Sequence, residues 1–255
     1  MNKLIVQIYE VQDPFEAEKL IELGVDYIGS VVLSETDWKI PALKDVVKIT
    51  SSFHASNKSS IIPLFNKMDS VFRVIDYYQP HIIHFTENIL DADLKLCEYF
   101  VNLQYEVKKR FDTEITRAIP IYEEGVKIND EDVEKIFKLA GLFEPVSDYF
   151  LTDTVLIHST EDNKDYKAID GFVGITGKIC NWNIAQNLVQ SSKIPVILAG
   201  GISHNNAAKA IKEVSPFGID SCTGTNVLDK NGRNIRFKKD MDKVKRLLDE
   251  VRDLT

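Results

Sequence analysis

Gly200-Gly201 and Thr223-Gly224 each follow a short apolar run within PVILAGGISHNNAAKAIKEVSPFGIDSCTGTN (Pro195–Asn226), with a helical pattern from about Asn205 to Val214 between them. Parallel strands place their carboxyl ends on one edge, so both turns face one pocket. Glycine lets main-chain N–H groups approach an anion closely, and a following helix N-terminus adds the positive end of its dipole. This layout predicts a phosphate cup at the last two strands of a (β/α)8 barrel. Asp153 closes another apolar run, at the edge where barrel enzymes keep their catalytic groups. Desolvation raises the pKa of a partly buried carboxyl, which suits it to general-acid work.

The elements that position these residues are legible in the hydropathy pattern. Candidate strands are Leu4–Tyr9, Tyr27–Leu33, Ser60–Leu64, His81–Phe85, Ala118–Tyr122, Asp148–Thr152, Pro195–Ala199 and Gly218–Ser221. Several are continuous apolar runs, as parallel strands buried on both faces require. Amphipathic patterns lie between them at Pro14–Leu23, Pro41–Ser51, Met68–Tyr78, Leu90–Arg110, Asp130–Leu142, Asn183–Gln190, Asn205–Val214 and Lys238–Leu254. Asp13-Pro14 reads as an N-cap followed by proline at the first helical position. Leu23-Gly24-Val25-Asp26-Tyr27 and Phe217-Gly218-Ile219-Asp220-Ser221 echo one another, each Gly closing the preceding helix in the left-handed conformation. The strict alternation predicts a parallel α/β fold, and the length of 255 residues is near that typical of a (β/α)8 barrel. No linker or composition shift divides residues 1–255, so one domain is expected. A Gly-x-Gly-x-x-Gly turn after the first strand, the mark of the doubly wound alternative, does not occur. Asp153–Lys178 is a long irregular piece at the catalytic edge and reads as a lid.

Composition narrows the partners. The 255 residues carry a net charge of −8, which argues against a general nucleic-acid binder. No apolar run reaches the length of a membrane span, and the N-terminus reads as a strand rather than a secretory signal. Cys97, Cys180 and Cys222 show neither a CxxC nor a metal-like spacing, so they fit a reducing, cytoplasmic setting, and Cys180 and Cys222 are read as structural. His54, His81, His158 and His204 form no ligand spacing with carboxylates; no metal and no cofactor is called for. Arg233–Arg246 reads as the last barrel helix with a solvated face. Monomer and homodimer both remain open.

Gly24-Val25-Asp26-Tyr27-Ile28-Gly29, Leu151-Thr152-Asp153-Thr154, Gly174-Ile175-Thr176-Gly177-Lys178 with Asn181-Trp182, Leu198-Ala199-Gly200-Gly201-Ile202 with Asn205-Asn206-Ala207, Gly218-Ile219-Asp220 through Gly224, and Lys239-Asp240 occur in order. Together they resemble the phosphoribosylanthranilate isomerase family, the tryptophan-biosynthesis barrel, along nearly the whole length. The resemblance implies an aldose-to-ketose (Amadori-type) isomerase of a small phosphoribosyl or related sugar-phosphate compound. It implies that Asp153 protonates the ribose ring oxygen as the ring opens. Alternatives are a diverged sugar-phosphate lyase or epimerase, and a non-catalytic protein that kept only the cup.

The chain also departs from the family. Gln7-Ile8-Tyr9-Glu10 stands where the family carries Lys-Ile-Cys-Gly, whose cysteine is the general base. The family's carboxylate-holding Arg falls near Trp38, and its Gln-Leu-His-Gly becomes His84-Phe85-Thr86-Glu87. His84, Tyr9 and Glu10 are therefore the candidate replacement bases. Imidazole titrates near neutrality, whereas an unperturbed phenol is a poor base. Strand parity sends Tyr9 and Glu10 to opposite faces, so at most one faces the barrel; Tyr9 takes the inward place and Glu10 reads as a solvated strand-end charge. Gly177, Gly200, Gly201, Thr223 and Gly224 are the phosphate ligands, with Thr176 and Lys178 as substrate contacts.

Overall fold

Apolar runs punctuated by Gly, Pro and Asp gain most by burial on both faces, and eight of them close into one parallel barrel in strict chain order. The computed structural model describes residues 3–156 and 171–254. The strands are β1 (Ile5–Ile8), β2 (Tyr27–Val32), β3 (Lys58–Pro63), β4 (Ile82–Phe85), β5 (Glu114–Tyr122), β6 (Tyr149–Val155), β7 (Val196–Leu198) and β8 (Gly218–Ser221). Around them lie α1 (Pro14–Leu23), α2 (Pro41–Phe53), α3 (Met68–Tyr78), α4 (Leu94–Arg110), α5 (Asp130–Phe143), α6 (Trp182–Ser191), α7 (Ala207–Val214) and α8 (Met241–Arg252). Closure comes from β1 pairing with β8, with Gln7 opposite Asp220 and Ile8 opposite Ser221.

Local chemistry sets the helix ends. Asp13 accepts from the backbone N–H groups of Phe15 and Glu16 at 2.8 and 3.0 Å, and Pro14 occupies the first turn where no N–H is needed. Gly24 closes α1 at φ 102°. Its echo behaves differently. Gly218 is the first residue of β8, and Ser215 takes the left-handed turn that ends α7. A Cβ on Gly218 would stand 2.7 Å from the Ile5 carbonyl oxygen, so glycine is needed there for close strand approach.

Two apolar layers result. Ile8, Ile28, Leu20, Ile119, Leu188 and Leu247 belong to the layer between strands and helices, while Tyr9, Tyr27, Ile82, Tyr149, Leu151 and Ile197 fill the barrel interior. The basic run Arg233–Arg246 is not one helix. Asn234–Lys239 is a strand (β10) that pairs antiparallel with Asn226–Leu228 (β9), and α8 starts only after the Asp240 N-cap. The alternation Ile235, Phe237 has the period of a strand, and Asp240 accepts from the Asp242 and Lys243 N–H groups to begin the helix anew. No helix among the described residues is long and apolar enough to cross a membrane.

Candidate active site at the barrel mouth

Because side chains alternate along a strand, every second residue near the carboxyl ends points into the barrel. Tyr9, Val31, Ile62, Leu64, His84, Leu151, Asp153, Ala199 and Asp220 therefore meet around one cavity of about 670 Å³, counted with its open mouth. Residues after β6 roof it. Val173 N–H donates to the Thr86 carbonyl at 2.8 Å and Asn88 N–H to the Gly171 carbonyl at 2.9 Å. Farther on, Glu124 N–H donates to the Ile179 carbonyl at 2.8 Å. The chain thus crosses the mouth from the end of β4 to the end of β5, and Val173 through Gly177 line the cavity. Of the expected lid, Asp153–Val155 continue β6, and 157–170 lie outside the described residues.

A buried ion pair anchors that roof. Arg117, fully buried, donates to Glu87 Oε2 at 2.6 Å and to the Glu87 carbonyl at 2.7 Å, with its guanidinium 4.7 Å from the Phe143 ring. Glu87 in turn bridges Phe172.

Asp153 projects from β6 into the cavity. One oxygen accepts from the Thr154 N–H at 2.8 Å. Removal from water pushes its carboxyl up to about 7, with that single N–H bond opposing the shift. It caps no helix. Asp220, from β8, is likewise pushed up to about 7 by burial, opposed by a 3.2 Å hydrogen bond from Gln7 Nε2 and raised further by Asp153. Asp220 was not among the expected site residues. Its signal was its place in the matched Gly-Ile-Asp segment, two residues before the Cys222-Thr223-Gly224 turn.

The three candidate bases fare differently. Tyr9 faces inward, yet its hydroxyl is shared between Ser60 Oγ at 2.6 Å and His84 Nδ1 at 2.8 Å. Burial pushes its phenol well above the usual range. His84 is pushed down to about 3 by burial and by the nearby Arg117 charge, so its imidazole is neutral. With Nδ1 joined to Tyr9, its buried Nε2 has no partner among the described residues. Glu10 corrects two expectations. It is 1% exposed rather than solvated, and it lines the cavity together with Tyr9. At φ 62° its backbone leaves the strand conformation, so the parity rule ends one residue early. Arg236 of β10 holds it, with Nε 2.8 Å from Oε1.

Three loops interlock at the far side of the mouth. Gly177, Gly200 and Gly201 have φ of 65°, 90° and 65°. A Cβ on Gly177 would lie 3.2 Å from Thr223 Oγ1, and one on Gly201 would lie 2.7 Å from the Lys178 carbonyl carbon. Thr176, Gly177, Gly200, Gly201 and Thr223 all line the cavity. Gly224 sits behind them against Ile202 and Ser203. A three-residue 3-10 turn, Thr223–Thr225, follows β8, so backbone from three successive strand ends surrounds one spot. Lys178 turns outward, half exposed and 3.4 Å from Glu123. Trp38 packs edge-on to Tyr77 outside the cavity. Cys180 is fully buried, with Sγ 3.3 Å from the Ala199 carbonyl.

Residues 145–250 match the family described as N-(5'-phosphoribosyl)anthranilate isomerase. A protein of that name from Methanosarcina acetivorans is 24% identical over 255 residues, covering 98% of this chain and 94% of the relative. Among solved structures, N-(5'-phosphoribosyl)anthranilate isomerase from Pyrococcus furiosus superposes with a TM-score of 0.66 at 20% identity, over 98% of this chain and 99% of that one. A phosphoribosyl anthranilate isomerase solved with reduced 1-(o-carboxyphenylamino)-1-deoxyribulose 5-phosphate gives 0.64 at 17% identity, over 98% and 99%.

Proposed function

We propose that this chain, which belongs to the phosphoribosylanthranilate isomerase family, is an acid–base isomerase that opens the ribose ring of an N-phosphoribosyl compound and converts it to the 1-amino-1-deoxyribulose form. One observation carries this reading. A carboxyl poised near neutrality, Asp153, shares a single cavity with a three-loop backbone cup. The cup of Gly177, Gly200, Gly201 and Thr223 takes the phosphate, because close-set glycine backbone can offer N–H groups without intervening side chains. The sugar then spans the cavity beneath the Val173–Gly177 roof.

In its protonated form Asp153 donates to the ring oxygen as the C1–O4 bond breaks and the nitrogen lone pair forms an iminium. A pKa near 7 leaves about half of the molecules correctly protonated at neutral pH. His84 and Tyr9 act as a fixed polar pair. His84 lines the cavity, and with Nδ1 engaged its Nε2, which has no partner among the described residues, is assigned to a sugar hydroxyl.

The test uses the full chain. Wild-type protein should convert phosphoribosylanthranilate to its ketose isomer, and a thermal-shift titration should show stabilisation by the reduced product analogue. Asp153→Asn should abolish turnover, by about 10²–10⁴-fold, while keeping the analogue. Absence of turnover by wild-type protein, together with failure to rescue a strain lacking the isomerase, would sink the reading.

A further inference from the structure

An isomerase of this kind needs a second proton carrier, because ring opening alone leaves an iminium whose C2 proton must be removed. The strand-one position that carries cysteine in the family holds Tyr9, and its ring does not occupy the same space. It packs directly on Gly29 of β2, with its hydroxyl drawn towards Ser60 on β3 and His84 on β4. That leaves the β8 side of the β1 end to Asp220, which is 7% exposed and lines the cavity with Asp153.

The register explains why Asp220 is available. It lies directly opposite Gln7 across the β1–β8 seam. The family signature has Lys at that position, and a lysine beside Asp220 would hold it ionised as an ion pair. The neutral Gln7 amide instead gives a 3.2 Å hydrogen bond to Oδ1 of a carboxyl that lines the cavity. Two departures within three residues thus complement each other. Cys to Tyr removes one base, and Lys to Gln frees a carboxylate next to its place.

Resting on the isomerase reading above, we propose that Asp220 is the catalytic base of this chain, taking the proton from sugar C2 while Asp153 serves the ring oxygen. The electron pair of the C2–H bond becomes the C1–C2 double bond, and the iminium π pair returns to nitrogen. The enol then passes its O2 proton to solvent, C2–O2 becomes a carbonyl, and the proton held by Asp220 returns to C1. No other reactant is consumed.

The other groups around Asp220 fit this division. Asp153 raises its pKa, whereas Lys239 on β10 lowers it from beyond the cavity wall. Lys239 Nζ is itself occupied by the Cys222 carbonyl and Asn226 Oδ1. Tyr9 stays neutral, and the Cys222 thiol is pushed up by burial and by the Glu10 and Asp220 carboxylates. Glu10 is committed to Arg236. At neutral pH the Asp153–Asp220 pair therefore carries about one proton between them, the state in which one donates and the other accepts.

Two measurements decide the matter. In carboxyl carbon-13 NMR, the resonance lost in Asp220→Asn should titrate near 7 in wild-type protein and fall by at least about two units in Gln7→Lys. A wild-type midpoint in the ordinary carboxylate range near 4 overturns the proposal without any substrate. With substrate deuterated at C2, Asp220→Asn should lose about 10²–10⁴-fold in kcat with KM little changed, and its isotope effect should exceed that of wild type. Loss confined to KM, or kcat retained, overturns the base assignment and leaves the isomerase reading standing. If wild type turns over no N-phosphoribosyl substrate, that reading fails and the base assignment fails with it.

Discussion

Gly174 sits against the Asp153 carboxyl in a conformation, φ 108°, that a side chain would strain, and a Cβ there would collide with Asp153 Oδ2. The roof of the cavity therefore touches the proposed acid with bare backbone. Gly174→Ala should push the carboxyl off its line to the ring oxygen. We expect kcat to fall by about 10²-fold, since displacements of about 1 Å at a reacting group cost that much, with weaker effects on phosphate affinity. Steady-state kinetics on the variant would check this, and an unchanged kcat would show that Asp153 has room to move.

The two raised carboxyls also set how stability depends on pH. Their folded-state values near 7 lie above the usual range near 4, so the native state binds more protons than the unfolded chain between those limits. Their contribution is fully present below about 4 and is lost as pH rises through 7. Asp153→Asn removes one such group and relieves repulsion on the other. Its Tm should therefore exceed that of wild type at pH 8, by about 1–3 kcal/mol or roughly 3–10 °C, with the advantage shrinking towards pH 5. Equal Tm differences at both pH values would contradict the raised pKa.

Gly201→Ala addresses the cup. Alanine at φ 65° is strained by about 1–2 kcal/mol, and its Cβ would meet the Lys178 carbonyl carbon at 2.7 Å, so the β6 and β7 loops must separate. The expected outcome is a KM raised at least about tenfold, with kcat at saturation affected much less. Loss of thermal stabilisation by the reduced product analogue should accompany it. Retained affinity would move the phosphate elsewhere on the mouth.

Much of this was readable beforehand because it is local. Apolar runs, Asp13-Pro14 and paired glycine turns report on a few neighbouring residues, and the eight strands and eight helices appear within a few residues of the expected limits. The start of the basic run Arg233–Arg246 forms the strand β10 rather than helix, because two alternating apolar residues are too short a pattern to fix the element until the partner strand β9 is in place. Lys178 is an expected ligand contact that instead faces Glu123, since a long side chain takes whichever partner the loop places nearest.

From its sequence alone, the chain determined the closed alternation of strands and helices, the position of the glycine cup and the place of Asp153 at a strand end. Only the tertiary structure decided what each mouth residue can do. Tyr9 is engaged by Ser60 and His84, Glu10 by Arg236, and Asp220 by Gln7, pairs set by barrel closure rather than by neighbourhood in the chain. Protonation follows the same rule: a carboxyl's pKa depends on the water excluded and the charges gathered around it, and those exist only once distant strands have met.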